Sequence, residues 1–226
     1  MDSKSCETVE AIGKHLLYRF QNSRALHVHL GLFGRVRKNP LPLKPPKGVV
    51  RVRLVSTTHY VDINGPTICE VIDQSGVDAL FKRIGPDVLR ADANPEISFQ
   101  KIHRSGLPIG QLIMDQSIMA GIGNIYRTEI LWRQAIHPEI PGKAISRDIF
   151  DRIWADAANL LAIGVKRNAI VTVDTQFFSK KRSSEKYNIF GKASCPKCNG
   201  VVRRLEINKR RAFVCDTCQP LPKHIS

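Results

Sequence analysis

Two pairs of cysteines near the C-terminus constrain the fold of this chain more than any other feature of its sequence. Cys195 and Cys198 form one Cys-x-x-Cys pair, and Cys215 and Cys218 form a second pair after sixteen intervening residues. Each such turn presents two thiolates on one side, and Zn²⁺ prefers four soft ligands arranged as a tetrahedron. The spacing therefore predicts one structural zinc ion bound by these four cysteines.

The residues between the two pairs have the pattern of a β-hairpin. Short β-prone runs at 201–202 and 212–214 flank a strongly basic span. The basic residues of this span are Arg203, Arg204, Lys209, Arg210 and Arg211. We expect a metal-clamped hairpin with a cationic tip, which suits contact with phosphates. The same pattern also fits a plain zinc ribbon that only stabilises the C-terminus, and the ribbon alone does not decide between these interpretations.

The net charge of the chain narrows the class of partner. The 226 residues carry a formal charge of +15, while a hydrophobic share of 42% is enough for a folded core. Such a charge favours a polyanion: DNA, RNA or an anionic membrane surface. The sequence has no apolar run near the ~20 residues that span a bilayer, and it shows no secretory signal. Outside the two pairs, its cysteines are Cys6 and Cys69, which are isolated in the sequence. A reducing cytosol is the expected compartment.

The first part of the chain has β-strand patterns. Strands are predicted at 14–20, 25–30, 49–55 and 67–73, with Asn22 and Ser23 in the first turn. His27 and His29 share one strand face because side chains two apart point the same way. This His-x-His pair has the form of a metal pair, but no further ligand is evident, so we favour a packing role.

A basic segment interrupts these strands between residues 35 and 53. Four prolines keep its middle out of a helix or a central strand, which predicts a loop. The one-sided charge favours a phosphate-facing rim over a merely solvated loop. Its seven basic residues are Arg35, Arg37, Lys38, Lys44, Lys47, Arg51 and Arg53.

The second part of the chain has helical periodicity. Turn-rich segments at 85–87 and 91–95 predict an interdomain linker, and Ser146 is a good N-cap for the last of three predicted helices. The helices are predicted at 108–119, at 125–135 and from Ser146 onward, and a mobile linker is predicted at 178–186. The resulting domains are 1–90, 91–180 and 181–226.

A glycine-rich turn, Gly121-Ile-Gly-Asn124, separates the first two of these helices. Glycine lets the backbone approach a phosphate closely, and the N–H groups that open the following helix then face the anion. The asparagine amide adds a donor. A glycine hinge between helices without any ligand has the same pattern, so the turn by itself leaves both interpretations open.

Several motifs together resemble a known family. The stretch DQSIMAGIGNIYRTEIL at 115–131, followed by Ile136-His-Pro138, resembles the helix–two-turns–helix signature of the Fpg/Nei family, the formamidopyrimidine-DNA glycosylases and endonuclease VIII enzymes of base excision repair. The resemblance extends over nearly the whole chain, through GKHLL at 13–17, HLGLFG at 29–34, IGPD at 84–87 and Cys218-Gln219. It implies an α+β fold: a truncated N-terminal β-sandwich, a helix–two-turns–helix domain and a C-terminal zinc β-ribbon.

The resemblance also implies roles for individual residues. Arg210, the twelfth of the sixteen residues between the cysteine pairs, matches an arginine that binds phosphates and acts in δ-elimination, and Arg211 lies beside it. Asn124 matches a phosphate-binding asparagine. Lys14 matches a lysine that binds phosphate and assists β-elimination. Leu32 and Phe33 match side chains that fill the gap left by an extruded nucleotide, a task that suits apolar wedges.

One departure from the family pattern concerns the N-terminus. Family enzymes begin with Pro-Glu after Met removal, and the proline amine attacks the sugar to form a Schiff base, whereas this sequence begins with Met1-Asp2. We therefore expect either a monomeric glycosylase/AP lyase acting on oxidised bases and abasic sites in damaged double-stranded DNA, or a truncated relative that binds such DNA without cleaving it. A zinc-ribbon module for RNA or a protein partner is the remaining alternative.

Overall fold

The computed structural model of the chain describes residues 5–21, 23–174 and 183–222, and only the backbone at 183 and 184. The chain forms two compact units, Met1–Arg83 and Ile84–Ser226. The division into three domains at 90 and 180 stays a prediction. Within the described residues, no helix is both long and apolar enough to cross a bilayer.

The N-terminal unit is a β-sandwich with one helix. Its four-stranded sheet has the order β1-β2-β3-β7, its three-stranded sheet has the order β4-β6-β5, and all neighbouring strands are antiparallel. The elements are β1 Cys6–Ile12, β2 His15–Phe20, β3 Arg24–His29, β4 Arg35–Pro40, β5 Val50–Val55, β6 His59–Asn64, β7 Ile68–Ile72 and α1 Gln74–Arg83. The predicted α+β class and the sandwich are confirmed.

Alternating side chains of the two sheets form the core of the sandwich. Leu26 and Val28 from one sheet pack with Ile63 from the other, and all three are at least 97% buried. This is the period of two expected for strands with one buried face. The edge strand β1 is mostly exposed.

Two expectations for this unit need correction. Lys14 lies in the two-residue turn between β1 and β2, where Gly13 has a φ of 57°, rather than inside a strand. The segment 35–53 is not all loop, because β4 occupies Arg35–Pro40. Its proline stands at the end of an edge strand, where a missing N–H costs no ladder hydrogen bond. The predicted turn residue Asn22 lies outside the described residues.

Where the structure describes it, the C-terminal unit contains four α-helices, two short 3-10 helices and a two-stranded ribbon. The elements are α2 Pro95–His103, α3 Ile109–Leu112, α4 Asn124–Arg133, α5 Arg147–Arg167, β8 Arg203–Ile207 and β9 Arg210–Val214. Asn94 caps α2 by accepting a hydrogen bond from Glu96 N, and Ser146 caps α5 as predicted, by accepting from Ile149 N. A core of α2–α5 side chains, including the fully buried Ile113, Ile130 and Phe150, holds the helices together.

The predicted helix at 108–119 is wrong in its extent, since α3 ends at Leu112. Local side-chain hydrogen bonds replace the helix after that point. Asp115 Oδ1 accepts from Ser117 N at 2.8 Å, and Gln116 Nε2 donates to Met114 O at 2.9 Å. Short polar side chains compete with helical hydrogen bonding in this way. The predicted linker at 85–95 likewise ends in α2, which begins at Pro95.

The ribbon differs from its prediction in where the basic residues lie. The tip between β8 and β9 consists of Asn208 and Lys209, both with positive φ as a type I′ turn requires. Arg210 and Arg211 therefore stand on β9 beside the tip and not in it. Of the predicted linker at 178–186, residues 178–182 lie outside the described residues.

Candidate nucleic-acid interface and metal centre

The glycine turn before α4 has a specific backbone conformation. Gly121 has a φ of 93°, and a Cβ atom there would lie 2.9 Å from Leu161 Cδ2. Gln116 fixes the turn by accepting a hydrogen bond from Gly121 N at 3.0 Å. Asn124 follows as the first residue of α4 and is half-buried. Because the first N–H groups of a helix have no intrahelical acceptor, this end of α4 has the geometry that suits an anion.

Arg127 lies one turn into α4 and is completely buried. Its guanidinium donates to Asn124 Oδ1, to Arg211 O at 2.8 Å and to Gly110 O at 3.3 Å. Burial lowers the pKa of Arg127 to about 10, and the nearby positive charge of Arg210 adds to this effect. The side chain of Arg127 thus connects Asn124, at the start of α4, with β9, the strand that carries Arg210 and Arg211.

Glu129 is the second buried charge of α4 and anchors the segment that leads to the ribbon. Its carboxylate accepts hydrogen bonds from the backbone N–H groups of Asn188, Ile189 and Phe190, each at 2.8 Å, and from Thr172 Oγ1 at 2.6 Å. A carboxylate with several N–H donors needs no basic partner to be accommodated. Arg127 and Glu129 therefore hold two different parts of the C-terminal segment against one helix.

The four cysteines come together at the base of the ribbon. Their sulfur atoms all lie within 4.8 Å of one another, with Cys195 Sγ and Cys218 Sγ 3.8 Å apart and Cys198 Sγ and Cys215 Sγ 3.4 Å apart. In the described part of the chain, no other set of three or more His, Cys, Asp or Glu side chains converges in this way. Four thiols at this spacing could hold a metal ion.

The surroundings of the cysteines fit a cation among them. Burial would raise the pKa of Cys195, but hydrogen bonds, including that from Trp132 Nε1 at 3.3 Å, lower it to about 6. Burial and the neighbouring thiols raise the pKa of Cys218 to about 12. Four adjacent thiols of this kind do not all ionise together unless a cation compensates their charge.

In the N-terminal unit, Lys14, Leu32 and Phe33 lie at one end of the four-stranded sheet. His15 pairs with His29, so the turn before β2 and the turn after β3 meet at the same end. The second turn is closed by a 2.9 Å hydrogen bond from Gly34 N to Leu30 O. Leu32 is 81% exposed and Phe33 83% exposed. Both apolar side chains are therefore accessible to a ligand at this end of the sheet.

His15, the residue after Lys14, is buried beside a second buried histidine, His27. His15 Nδ1 and His27 Nε2 are 2.8 Å apart, and His27 Nδ1 lies 3.0 Å from Glu70 Oε1. Burial lowers the pKa of His15 to about 4, and electrostatic interactions with His29, His27, Arg83 and Lys14 lower it further. Among the described residues, no third candidate ligand converges on His27 and His29, and the packing role of this pair stays a prediction.

The sequence analysis missed Arg127 and Glu129. Charged residues between apolar ones in a helix are usually solvent-facing, and nothing in the helical periodicity indicates that the ribbon covers this side of α4. Only the burial of nearly every residue from Tyr126 to Trp132 distinguishes α4 from an ordinary surface helix. Trp132 packs on the ribbon residues Val202 and Cys215, which explains this burial.

Comparison with known proteins agrees with this architecture. Residues 84–176 match the family model of the formamidopyrimidine-DNA glycosylase H2TH domain. The chain is 36% identical over 230 residues to Endonuclease 8 1 of Mycobacterium tuberculosis, covering 97% of this chain and 85% of that protein. It is 26% identical over 235 residues to a formamidopyrimidine-DNA glycosylase of Thermomicrobium roseum, covering 94% and 81%.

A solved structure of the same fold is the complex between Lactococcus lactis Fpg and DNA containing an abasic site, with a TM-score of 0.80, 22% identity and coverage of 96% of this chain and 83% of that one. The sequence relatives, together with the H2TH match, define a class of DNA repair glycosylases. The chain belongs to the Fpg/Nei family, as its motifs indicate.

Proposed function

We propose that the protein is a base excision repair DNA glycosylase/AP lyase that acts on oxidised bases and abasic sites in double-stranded DNA. The observation that carries this proposal is the connection made by Arg127 between Asn124, at the start of α4, and the strand that bears Arg210 and Arg211. These groups are donors or cations, which is the chemistry that binds phosphate. The names of the sequence relatives support the same activity.

The individual roles are proposed as follows. Asn124, Arg210 and Arg211 bind phosphates of the damaged strand. Arg210 also assists δ-elimination, and Lys14 binds phosphate and assists β-elimination. Leu32 and Phe33 fill the gap left by the extruded nucleotide, which their exposure supports.

The metal held by the four cysteines is proposed to be one structural Zn²⁺. Zinc suits four thiolates better than harder cations do, and the set leaves no open ligand position for chemistry. The ion would cross-link the two Cys-x-x-Cys turns of the ribbon, whose residues pack on Trp132 of α4. The residues of the ribbon, and not the metal, would contact DNA.

Covalent trapping tests the chemistry separately from binding. A glycosylase/AP lyase forms an imine with C1′ of an abasic site, and borohydride reduces this imine to a stable adduct. The purified protein is incubated with a duplex carrying one abasic site, with and without borohydride, and the products are separated on a denaturing gel. We expect a protein–DNA adduct only with the reductant. Salt-dependent binding to the same duplex without any adduct would instead favour a relative that binds damaged DNA without cleaving it.

The setting of this activity is proposed to be the bacterial cytoplasm, on nucleoid DNA, with the protein acting as a monomer. The charge of +15 and the relation to DNA repair enzymes support this setting. Light scattering coupled to size exclusion tests the monomer: a mass near 25.4 kDa is expected, and twice that mass would contradict it.

A further inference from the structure

Arg127 is a buried cation, and no anionic partner for it is found among the residues that the structure describes. It is fully buried, and no carboxylate lies within ion-pair distance of it in the part of the chain that the structure describes. Its Nε–H is buried and has no hydrogen-bond partner. The positive charge of Arg210 acts on Arg127 and lowers its pKa further. An arrangement of this kind opposes folding, because a buried charge is costly unless it is paired.

Arg133, six residues further along α4, shows the ordinary alternative. Its guanidinium is half-buried and pairs with the buried carboxylate of Asp156, with Nε 2.8 Å from Oδ2. Arg133 in α4 therefore has a counter-ion, whereas Arg127 in the same helix has none among the described residues. Arg133 is a matched control for any effect of Arg127.

The chemistry of the guanidinium determines how Asn124 is oriented. Arginine has five N–H donors and no acceptor, so the amide atom that faces Arg127 has to be the oxygen. This orientation, in which Asn124 Oδ1 accepts from Arg127 Nη2, leaves Asn124 Nδ2 on the other side of the amide. Both donors of the amide are then directed away from Arg127, at the open end of α4.

We propose that Arg127 is a positioning residue for phosphate binding. It holds the Asn124 amide with its donors outward, and the counter-ion that it lacks among the described residues is a phosphate of the bound DNA. The inference rests on the proposed DNA-binding function. Arg127 itself does not touch the phosphate, since it is buried. It acts through Asn124, and its hydrogen bond to Arg211 O fixes β9 so that Arg210 stands near the same anion.

A double-mutant cycle on thermal stability tests the contact between Arg127 and Asn124 without any DNA. Asn124→Asp keeps the oxygen that accepts from Arg127 and adds the missing negative charge, so we expect the Tm to rise by roughly 2–4 °C. In the Arg127→Met background the same change should give less than half of that gain, because only the favourable position of an acid at a helix start remains. An equal gain in both backgrounds, or no gain at all, overturns the proposed orientation of Asn124.

The DNA experiment measures affinity for a duplex with a tetrahydrofuran abasic-site analogue by fluorescence anisotropy across a series of salt concentrations. Arg127→Met should bind about 10-fold more weakly and lower the slope of log K against log salt by about 1. Arg127→Lys keeps the charge but not the planar fork, so it should retain most of the slope while losing affinity. Arg133→Met should lower the Tm through the unpaired Asp156 and leave affinity and slope unchanged.

A structural role for Arg127 predicts a different set of results. If Arg127→Met lowers the Tm as much as Arg133→Met does and leaves the salt slope at the wild-type value, the side chain only supports packing and the proposal is overturned. If the wild-type protein itself shows no salt-dependent binding, the proposed function fails. The stability cycle still decides the contact between Arg127 and Asn124 in that case.

Discussion

The buried basic side chains of the two units accommodate the cost of desolvation in different ways. In the sandwich, His15 and His27 are buried beside His29, and burial lowers the pKa of His15 to about 4, so the ring is neutral at pH 7. In the C-terminal unit, burial lowers the pKa of Arg127 only to about 10, and the guanidinium remains charged. Histidine gives up its proton at little cost, whereas arginine does not.

The histidine cluster (His15, His27 and His29) and the arginine cluster (Arg127, Arg210 and Arg211) should therefore respond to different solution conditions. The histidine cluster responds to pH, because protonation puts a charge where none is tolerated. The arginine cluster responds to anions and salt, because its charge is permanent and has no carboxylate among the described residues. Four measurements test whether the two clusters are independent in this sense.

Removal of the proposed metal should have the largest effect, and this effect should be on DNA binding by the arginine cluster. Cys195→Ser, or a strong chelator, removes the cross-link of the ribbon, and structural zinc sites fold only on binding metal. We expect DNA affinity to fall by roughly 100-fold or more, because β9 then no longer stands against Arg127. Cys6→Ser, an exposed cysteine outside the cluster, is the matched control and should leave affinity unchanged. Full zinc stoichiometry in Cys195→Ser would refute the assigned metal centre.

Loss of the Arg210 charge should weaken DNA binding less than loss of the metal does. Arg210→Ala removes an exposed cation next to Arg127 and should weaken binding about 10-fold, with a salt slope lower by about 1. Arg152→Ala removes the same charge from an exposed position of α5 and serves as the control. Equal losses in the two variants would mean that only net charge matters.

Acid should destabilise the protein through the histidine cluster. The pKa of His15 is lower in the folded state than its ordinary value of 6.5, so the folded state binds fewer protons. Its contribution to stability is present above about pH 6.5 and is lost as the pH falls toward 4. His15→Gln should therefore flatten the decrease of Tm over this range. Arg127→Met should keep the wild-type profile, because arginine does not titrate there, and a flattened profile in that variant would contradict the comparison.

The exposed turn after β3 should affect neither cluster. Phe33→Ala removes a side chain that is 83% exposed, so the free energy of unfolding should change by less than about 0.5 kcal/mol. The pH profile and the salt slope should also stay at their wild-type values. Processing of abasic DNA should nevertheless slow if Phe33 replaces lost base stacking. A large loss of stability would assign Phe33 to the core instead.

The sequence predicted those parts of the fold that depend on local patterns. The strand at Arg24–His29, the helices α4 and α5, the Ser146 cap and the cysteine cluster follow from periodicity, capping and ligand spacing. It predicted α3 poorly, because the hydrogen bonds of Asp115 and Gln116 compete with the helix. It also missed β4, whose strand forms by pairing with β6 despite a basic, proline-containing sequence.

The sequence alone was enough to predict four candidate metal ligands, the family, and Asn124 and Arg210 as phosphate-binding candidates, since each depends on residue type at a fixed spacing. Three-dimensional contacts were needed to show that Arg127 is buried, that it has no carboxylate partner among the described residues, and that it bonds to both Asn124 and Arg211. Burial and pairing arise from contacts between segments 84 residues apart. No local pattern contains that information, because desolvation depends on what covers a residue and not on its neighbours in the chain.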